Sequence, residues 1–410
     1  LADDLGYGDL SCYGQKTLQT PSLDKLAAEG MRFTRHYAGS TVCAPSRCVL
    51  MTGLHTGHAP LRTNWDDPMT NSTKTVASLL KSGGYRTGCF GKWGLGSEIP
   101  PRDPNEKGFD HFYGYVDMYH AHNLFPPFLI RNGEREVLRN DLVPGSDGVH
   151  FSGRGNGVAQ HPRDYAPEFI VNEALEFIDA QAKNPFFLFL SLNTPHANNE
   201  GQKHGRGMEV PDSGPFADRD WPEAEKGFAR MMRDLDGDVG RVVARLRDHG
   251  IAERTLVIFT SDNGPHQEGG HHVDFFNSNG PLRGRKRALY EGGIRVPMIA
   301  WWPGRVPAGI VTAHLSGFQD FLPTFCELAG IQAPTVDGLS LVPTLIGRPA
   351  EQRSHDFLYW EFYEGGGRQA VVNDRWKAVR MKWSDNPEGP LELYDLQSDP
   401  GEERNIAADH

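Results

Sequence analysis

The chain of 410 residues has few cysteines, no long apolar run and no excess of positive charge. Its five cysteines are odd in number and include no CxxC pair, which argues against a disulfide-stapled domain and a zinc ribbon. No apolar run approaches the ~20 residues of a membrane-spanning helix. The formal net charge of -11, with no basic tract to offset it, argues against general nucleic-acid binding.

Apolar and amphipathic segments alternate along most of the chain. Apolar runs at residues 186–192, 256–260 and 298–302 are typical of buried strands. Strands that alternate with helices predict an α/β fold, in which helices flank a mostly parallel sheet. The patterns typical of helices lie at residues 21–30, 75–81, 167–182 and 223–249.

The pattern changes near residue 352, where short strand-like segments separated by Gly- and Pro-rich turns begin. We therefore expect a large α/β domain at residues 1–350 and a small antiparallel β subdomain at residues 351–410. The chain starts at Leu1 without Met, so we expect that a leader peptide is missing from it. The strand-like segments are residues 357–362, 369–372, 376–381 and 391–396.

One short segment stands out as a candidate catalytic motif. Residues 43–53 read CAPSRCVLMTG, a C-x-P-x-R pattern followed by an apolar pair and Thr-Gly. The segment resembles the signature of formylglycine-dependent type I sulfatases, the arylsulfatase-like family of the alkaline phosphatase superfamily. The resemblance implies an alkaline-phosphatase-like fold, oxidation of Cys43 to formylglycine, and an Arg47 that stabilises the formylglycine as a fixed positive group.

The chemistry of a sulfate ester explains why such a residue is useful. An anionic ester repels hydroxide, so the enzyme needs a nucleophile that can also leave easily. In a hydrated aldehyde, one hydroxyl attacks sulfur, and the other later expels sulfate when the carbonyl reforms. Covalent catalysis thereby splits one difficult step into two easier ones.

Two acidic pairs are candidate metal ligands. Asp3-Asp4 and Asp262-Asn263 each follow a segment typical of a strand. The carboxyl ends of parallel strands meet at one edge of a sheet, where ligand sites gather. Three carboxylates and one amide oxygen are a hard set of donors that suits Ca²⁺, with Mg²⁺ also possible. The flanking sequences are again similar to those of the sulfatase family.

Three further residues match the family's motifs. Lys92, in the sequence GKW, and Lys286, in GRKR, match lysines that bind the sulfate group in the family. His196, in NTPH, matches the histidine that protonates the leaving oxygen. The resemblance extends over nearly the whole chain, to the segment ELYDL at residues 392–396.

The sequence departs from the family at two positions. Gly94 stands where many members have a histidine that contacts the formylglycine, and Phe90 replaces a smaller residue. His122, in the sequence HAHN, is our candidate for the missing histidine. An equally open alternative is that His122 faces solvent or substrate.

The resemblance implies a sulfuric ester hydrolase that removes sulfate from a sulfated sugar or polysaccharide. Its partners would be that substrate and a formylglycine-generating maturation enzyme, and we expect a periplasmic or secreted location. Aromatic and polar residues at 119–131 and 269–272 are suited to contact a sugar ring. The alternatives are a phosphonate monoester hydrolase or phosphodiesterase of the same superfamily, and a glycan-binding protein in which Cys43 stays unconverted.

Overall fold

The computed structural model describes residues 1–65, 69–70, 72–96, 104–148 and 153–409. Helix boundaries follow from local sequence: α1 has Pro21 at its first position, and Gly30 follows its end. Thr75 caps α3 by accepting from Ser78 N, while the Ser78 hydroxyl accepts from Thr75 N. The helices described are α1 (Pro21–Glu29), α2 (Cys43–Thr52), α3 (Val76–Ser82), α4 (Ala166–Gln181), α5 (Glu223–Asp248), α6 (Glu291–Ile294), α7 (Phe321–Leu328) and α8 (Val342–Leu345).

Strands make up a central sheet and a separate C-terminal sheet. The strands of the central sheet are β1 (Met31–Tyr37), β2 (Arg86–Lys92), β3 (His111–Tyr115), β4 (Phe128–Arg131), β5 (Glu134–Val137), β6 (Phe186–Ser191), β7 (Val257–Thr260), β8 (Arg295–Trp301), β9 (Ile310–Thr312) and β10 (Ser316–Gly317). Those of the C-terminal sheet are β11 (Leu358–Phe362), β12 (Arg368–Val372), β13 (Trp376–Met381) and β14 (Leu391–Asp395), paired antiparallel in chain order.

The first residues of the chain join the two halves of the central sheet. One half has the order β5-β4-β3-β2-β6, and the other has the order β7-β8-β1-β10, with β9 also on β1. Leu1 N donates to Leu190 O of β6 at 2.8 Å, and Ala2 N donates to Thr260 O of β7 at 2.8 Å. Residues 1–3 therefore take the place of a strand between β6 and β7.

The directions of β2, β3 and β6 agree with the prediction of a parallel sheet. β2 pairs in parallel with both β3 and β6, and Ala2 forms a parallel bridge with Ser261. β8 runs antiparallel to both β7 and β1. The α/β fold with a C-terminal antiparallel sheet is confirmed, whereas β8, which the sequence grouped with the parallel strands, has the opposite direction.

Helices cover both faces of the central sheet. Since successive residues of a strand point to opposite faces, neighbouring residues of one strand pack into different cores. On β2, Phe90 packs into the core formed with α1, α4 and α5, whereas Cys89 packs into the core formed with α2, α3 and α7. The C-terminal sheet packs Trp360 against Tyr37 of β1 and shares a third core with Ile294. No helix in the described part of the chain is both long and apolar enough to cross a bilayer.

Candidate active site

The candidate catalytic and metal-binding residues from the sequence lie at one edge of the central sheet, and they include His122, whose ring stacks on that of His196. Lys92 ends β2, Asp262 follows β7, and His196 lies five residues after β6. Because β8 is antiparallel to both β1 and β7, those two strands run in the same direction. The loop that leads from the end of β1 to Cys43 therefore starts at the same edge of the sheet as Asp262. Lys286 precedes β8, whose antiparallel direction places its amino end there as well. The direction of β8 is thus what adds Lys286 to the site.

Cys43 is the first residue of α2 and is 2% exposed. Its Sγ lies 3.3 Å from Asp3 Oδ1 and 4.0 Å from Asp4 Oδ1. Burial, with Asp3 beside the thiol, raises the pKa of Cys43 well above its usual value. The start of α2 is fixed by Ser46, whose hydroxyl donates to Asp262 O at 2.5 Å. The motif residue Ser46 therefore holds the helix start against the metal-ligand candidates.

The four proposed metal ligands are all buried. Hydrogen bonds join Asp4, Asp262 and Asn263, and a carboxylate oxygen of Asp3 lies within 4.8 Å of one of Asp4. Asp4 N donates to Asp262 Oδ1 at 3.1 Å, and Asn263 Nδ2 donates to Asp4 Oδ1 at 2.7 Å. Asn263 Oδ1 is buried and has no hydrogen-bond partner within the described residues. A buried amide oxygen without a donor, next to three carboxylates, fits a hard divalent cation.

Positive side chains surround these carboxylates. Lys92 Nζ lies 2.7 Å from Asp3 Oδ2, and the Arg47 guanidinium donates twice to Asp262 Oδ2, at 3.0 and 2.9 Å. Burial alone would raise the pKa of Asp3, but Lys92, His196 and Arg47 hold it well below its usual value. Burial and the neighbouring Asp3 raise the pKa of Asp262 despite its pair with Arg47. The cations present thus do not fully offset the negative charge of the carboxylate cluster.

Lys286 links the carboxylates to His196. Its Nζ lies 2.7 Å from Asp4 Oδ2, 3.0 Å from Glu268 Oε2 and 3.0 Å from His196 Nε2. His196 Nδ1 contacts Ala197 O at 2.6 Å, which places a proton on Nδ1 and leaves Nε2 to accept from Lys286. Burial, followed by Lys286, lowers the pKa of His196 to about 3. His196 is therefore a neutral imidazole that receives a hydrogen bond from an ammonium group.

His122 lies beside His196. The two rings are stacked, with centroids 4.9 Å apart and planes 14° apart. His122 Nδ1 donates to Glu200 Oε2 at 3.2 Å. Within the described residues, the hydrogen bonds of Cys43 Sγ go to Asp3 and Asp4. The assignment of His122 as the partner of residue 43 stays a prediction.

Gly94 faces the cations directly. A Cβ at this position would lie 3.5 Å from Arg47 Cδ and 3.7 Å from Lys92 Cε, which is ordinary contact. Its φ of +71° is a conformation that other residues adopt only with strain. Position 94, where the family resemblance implies a histidine, is therefore close to the site.

Sequence reasoning missed three residues that hold the site together. Glu268 pairs with both Lys286 and Arg287, Ser191 accepts from Arg47, and Asn64 Oδ1 accepts from Ala44 N at 3.0 Å. Glu268 lies only five residues after Asn263, whose flanking sequence resembles the family, so it was the easiest of the three to find from the sequence. Ser191 and Asn64 carry no local signal, because only the folded chain brings them to Arg47 and Ala44.

The fold and the site together define a hydrolase with an α/β fold of the alkaline-phosphatase-like class. The chain belongs to the sulfatase family, since the family model described as Sulfatase matches residues 1–331. A second model, described as N-sulphoglucosamine sulphohydrolase, C-terminal, matches residues 284–410. The protein is accordingly a sulfuric ester hydrolase.

Individual relatives cover most of the chain. It is 33% identical to N-acetylgalactosamine-6-sulfatase of Canis lupus familiaris over 412 residues, which covers 94% of this chain and 72% of that protein. It is 34% identical to arylsulfatase A of Homo sapiens over 447 residues, which covers 99% of this chain and 82% of that protein. The crystal structure of Ps i-CgsB in complex with k-i-k-neocarrahexaose is similar, with a TM-score of 0.82 and 27% identity. The match covers 100% of this chain and 88% of that one.

Proposed function

We propose that this protein hydrolyses the sulfate ester of a sulfated carbohydrate, with residue 43 as formylglycine. The observation that carries the proposal is the position of Cys43, which is buried at the start of α2 and 3.3 Å from Asp3. A thiol whose pKa is raised well above its usual value is a poor nucleophile. The aldehyde hydrate made by a maturation enzyme does not depend on thiolate formation.

The proposed reaction has two steps, and Sγ marks where the hydrate oxygens would lie. One hydroxyl of residue 43 attacks sulfur and releases its proton, the bond between sulfur and the sugar oxygen breaks, and that oxygen takes a proton. The second hydroxyl then loses its proton, the bond from carbon to the sulfate oxygen breaks, and the carbonyl reforms as sulfate leaves. Water rehydrates the aldehyde for the next cycle.

Asp3, Asp4, Asp262 and Asn263 would hold a divalent cation. Their donors are all oxygens, which favours Ca²⁺, with Mg²⁺ as the second choice. When bound, such a cation supplies positive charge that polarises a sulfate oxygen. The unpaired Asn263 Oδ1 supports this ligand set.

Arg47, Lys92 and Lys286 would neutralise the sulfate group in the pocket. Lys92 and Lys286 each contact a carboxylate at 2.7 Å, so their ammonium groups are already fixed in place. Fixed charges stabilise the negative charge that develops on the sulfate oxygens without reorganisation during the step. Arg47, with two bonds to Asp262, would mainly orient that carboxylate.

His196 would protonate the leaving sugar oxygen. Because its pKa is lowered to about 3, the imidazole is neutral at pH 7 and needs a source for that proton. Lys286 Nζ donates to His196 Nε2 at 3.0 Å. Burial alone would lower the pKa of Lys286, but the carboxylates of Asp4 and Glu268 outweigh it and leave that pKa raised. We therefore propose that His196 and Lys286 together supply the proton that the leaving oxygen takes, with His196 as the group next to that oxygen.

The choice of a carbohydrate rests on the relatives. One acts, by its name, on N-acetylgalactosamine 6-sulfate, and one solved structure holds a neocarrahexaose. We propose that the enzyme meets this substrate in the periplasm or outside the cell.

Matched substrates test the proposed reaction. Rates of hydrolysis should be measured on an aryl sulfate, an aryl phosphonate monoester and an aryl phosphodiester with the same leaving group. We expect the sulfate to have the highest kcat/KM. A higher kcat/KM on the phosphonate or the diester would assign the protein to the other activity of the superfamily.

A further inference from the structure

A row of aromatic rings leads from His196 towards the protein surface. His122 stacks on His196 with a centroid distance of 4.9 Å, and Tyr119 meets the His122 ring edge-on at 5.7 Å. Trp65 continues the row, with its ring 5.8 Å from that of Tyr119. Exposure rises along the row, because His196 and His122 are buried, Tyr119 is half-buried and Trp65 is 68% exposed.

The outer end of this row is tied to the nucleophile. Trp65 follows Asn64, whose Oδ1 accepts from Ala44 N, the amide next to Cys43. Tyr119 N in turn donates to Asp117 Oδ1 at 2.8 Å, which fixes the segment before His122. The wall formed by Trp65, Tyr119 and His122 thus meets the site at its outer end through Asn64 and at its inner end through His196.

Polar groups accompany the wall. Glu200 Oε2 accepts from His122, and its other oxygen lies 3.4 Å from Asn156 Nδ2. Arg154 pairs with Asp117 at 2.9 Å and lies over the Tyr119 ring, 6.0 Å from its centroid. Aromatic faces beside carboxylate and guanidinium groups match a sugar ring, which has an apolar C–H face and a rim of hydroxyl groups.

We propose that Trp65 and Tyr119 form a binding site for a second sugar unit, next to the unit that carries the sulfate ester. This inference rests on the proposed function, because it takes His196 as the group beside the leaving oxygen. A sugar bonded through that oxygen lies against His196 and His122. Trp65 is two further ring contacts outward, so the unit that covers it is the next one along the chain.

The site gives the enzyme a preference for sulfated oligosaccharides over sulfated monosaccharides. A monosaccharide sulfate reaches His196 and His122 but leaves the face of Trp65 uncovered. An oligosaccharide covers Trp65 and gains the burial of that ring. The gain should be seen mainly in KM, since the rings of Tyr119 and His122 separate Trp65 from His196.

Two pairs of probes test the preference: N-acetylgalactosamine 6-sulfate with a chondroitin 6-sulfate tetrasaccharide, and galactose 4-sulfate with a κ-carrageenan tetrasaccharide. We expect Trp65→Ala to raise KM for the tetrasaccharide about 10-fold, with a smaller effect on kcat and on the monosaccharide. Trp65→Phe should recover most of the loss. Phe357→Ala, which removes another exposed ring (54%), is the matched control.

Binding without turnover gives a second readout. In the Cys43→Ala background, the tetrasaccharide should change the fluorescence of Trp65, and Trp65→Ala should weaken its Kd about 10-fold. Equal KM and Kd for Trp65→Ala and the parent protein on both tetrasaccharides would overturn the inference. Release of no sulfate from any of the four probes by the wild-type enzyme would instead overturn the proposed function and, with it, this inference.

Discussion

His196 is the residue at which leaving-group chemistry can be tested. A sugar alkoxide leaves poorly without a proton, whereas a nitrophenolate scarcely needs one. We therefore expect His196→Ala to reduce kcat/KM on a sulfated sugar by ~10² to 10⁴-fold and on 4-nitrophenyl sulfate by much less. Steady-state rates on both substrates measure this. Equal losses on the two would remove His196 from the role of general acid.

His122 has two possible roles that kinetics can separate. If it serves residue 43 in place of the histidine missing at Gly94, His122→Ala should lower kcat on every sulfate ester, because breakdown of the covalent sulfate needs a base whatever group left first. If it belongs to the sugar-binding wall, the change should mainly raise KM for sugar substrates. The stacking on His196 and the bond to Glu200 favour the second result. A uniform fall in kcat would restore the first role.

Individual site residues could be predicted wherever a motif marks them. Cys43 and Arg47 share one short pattern, Lys92 and Lys286 lie in two others, and the structure brings these three patterns together although they are far apart in the chain. Trp65 has no pattern around it, and its importance depends on the rings of Tyr119 and His122, which only folding places beside it. The protonation state of His196 could not be predicted from the sequence either, since it follows from burial and from Lys286.

At the scale of elements, the close approach of β2 to β6 positions Lys92. A Cβ on Gly91 would lie 2.0 Å from Ser191 O, and the residue has a φ of +107°. Gly91→Ala must therefore push β2 away from β6, and we expect it to lower the free energy of unfolding by more than about 3 kcal/mol. Chemical denaturation measures the loss.

Gly84 provides the matched control for that prediction. Its φ is +89°, but a Cβ there would meet no atom within 4 Å. Gly84→Ala should cost only about 1 kcal/mol, from backbone strain alone. If both variants lost the same amount, steric contact with Ser191 would not explain the need for glycine at position 91.

The elements that could be predicted are those with a clear apolar period. The predicted helices agree with α1, α3, α4 and α5 to within two residues at each end. β1 and β2 were missed, because Arg and His interrupt the apolar residues of β1 and two glycines interrupt those of β2. The direction of β8 depends on how the chain returns to the sheet, which the composition of the strand does not encode.

At the scale of the whole molecule, a buried ion cluster joins the C-terminal sheet to the rest of the protein. Lys377 of β13 is fully buried, with Nζ 3.0 Å from Glu291 Oε1 and 2.8 Å from Glu402 Oε1. Glu291 begins α6 and also accepts from the Tyr37 hydroxyl at 2.8 Å. The large predicted unit at residues 1–350 and the small unit at 351–410 therefore meet at charged groups as well as apolar ones.

Removal of Lys377 should be costly because it leaves two carboxylates buried side by side. We expect Lys377→Met to lower the free energy of unfolding by about 3 to 5 kcal/mol. Lys16→Met, at an exposed lysine, is the control and should change it by less than about 0.5 kcal/mol. A Lys377→Met variant as stable as the control would show that the cluster contributes nothing to the attachment of the C-terminal sheet.

The claim that residue 43 provides the nucleophile as formylglycine is tested most directly by measuring its modification and the enzyme's activity on the same preparations. The mass of the peptide that contains residue 43 and the rate of sulfate release should be measured on the same preparations of wild type and Cys43→Ala. We predict that release rises in proportion to the formylglycine fraction and that Cys43→Ala releases none. Full sulfate release by a preparation that holds only unmodified Cys43, or by Cys43→Ala, would contradict the account.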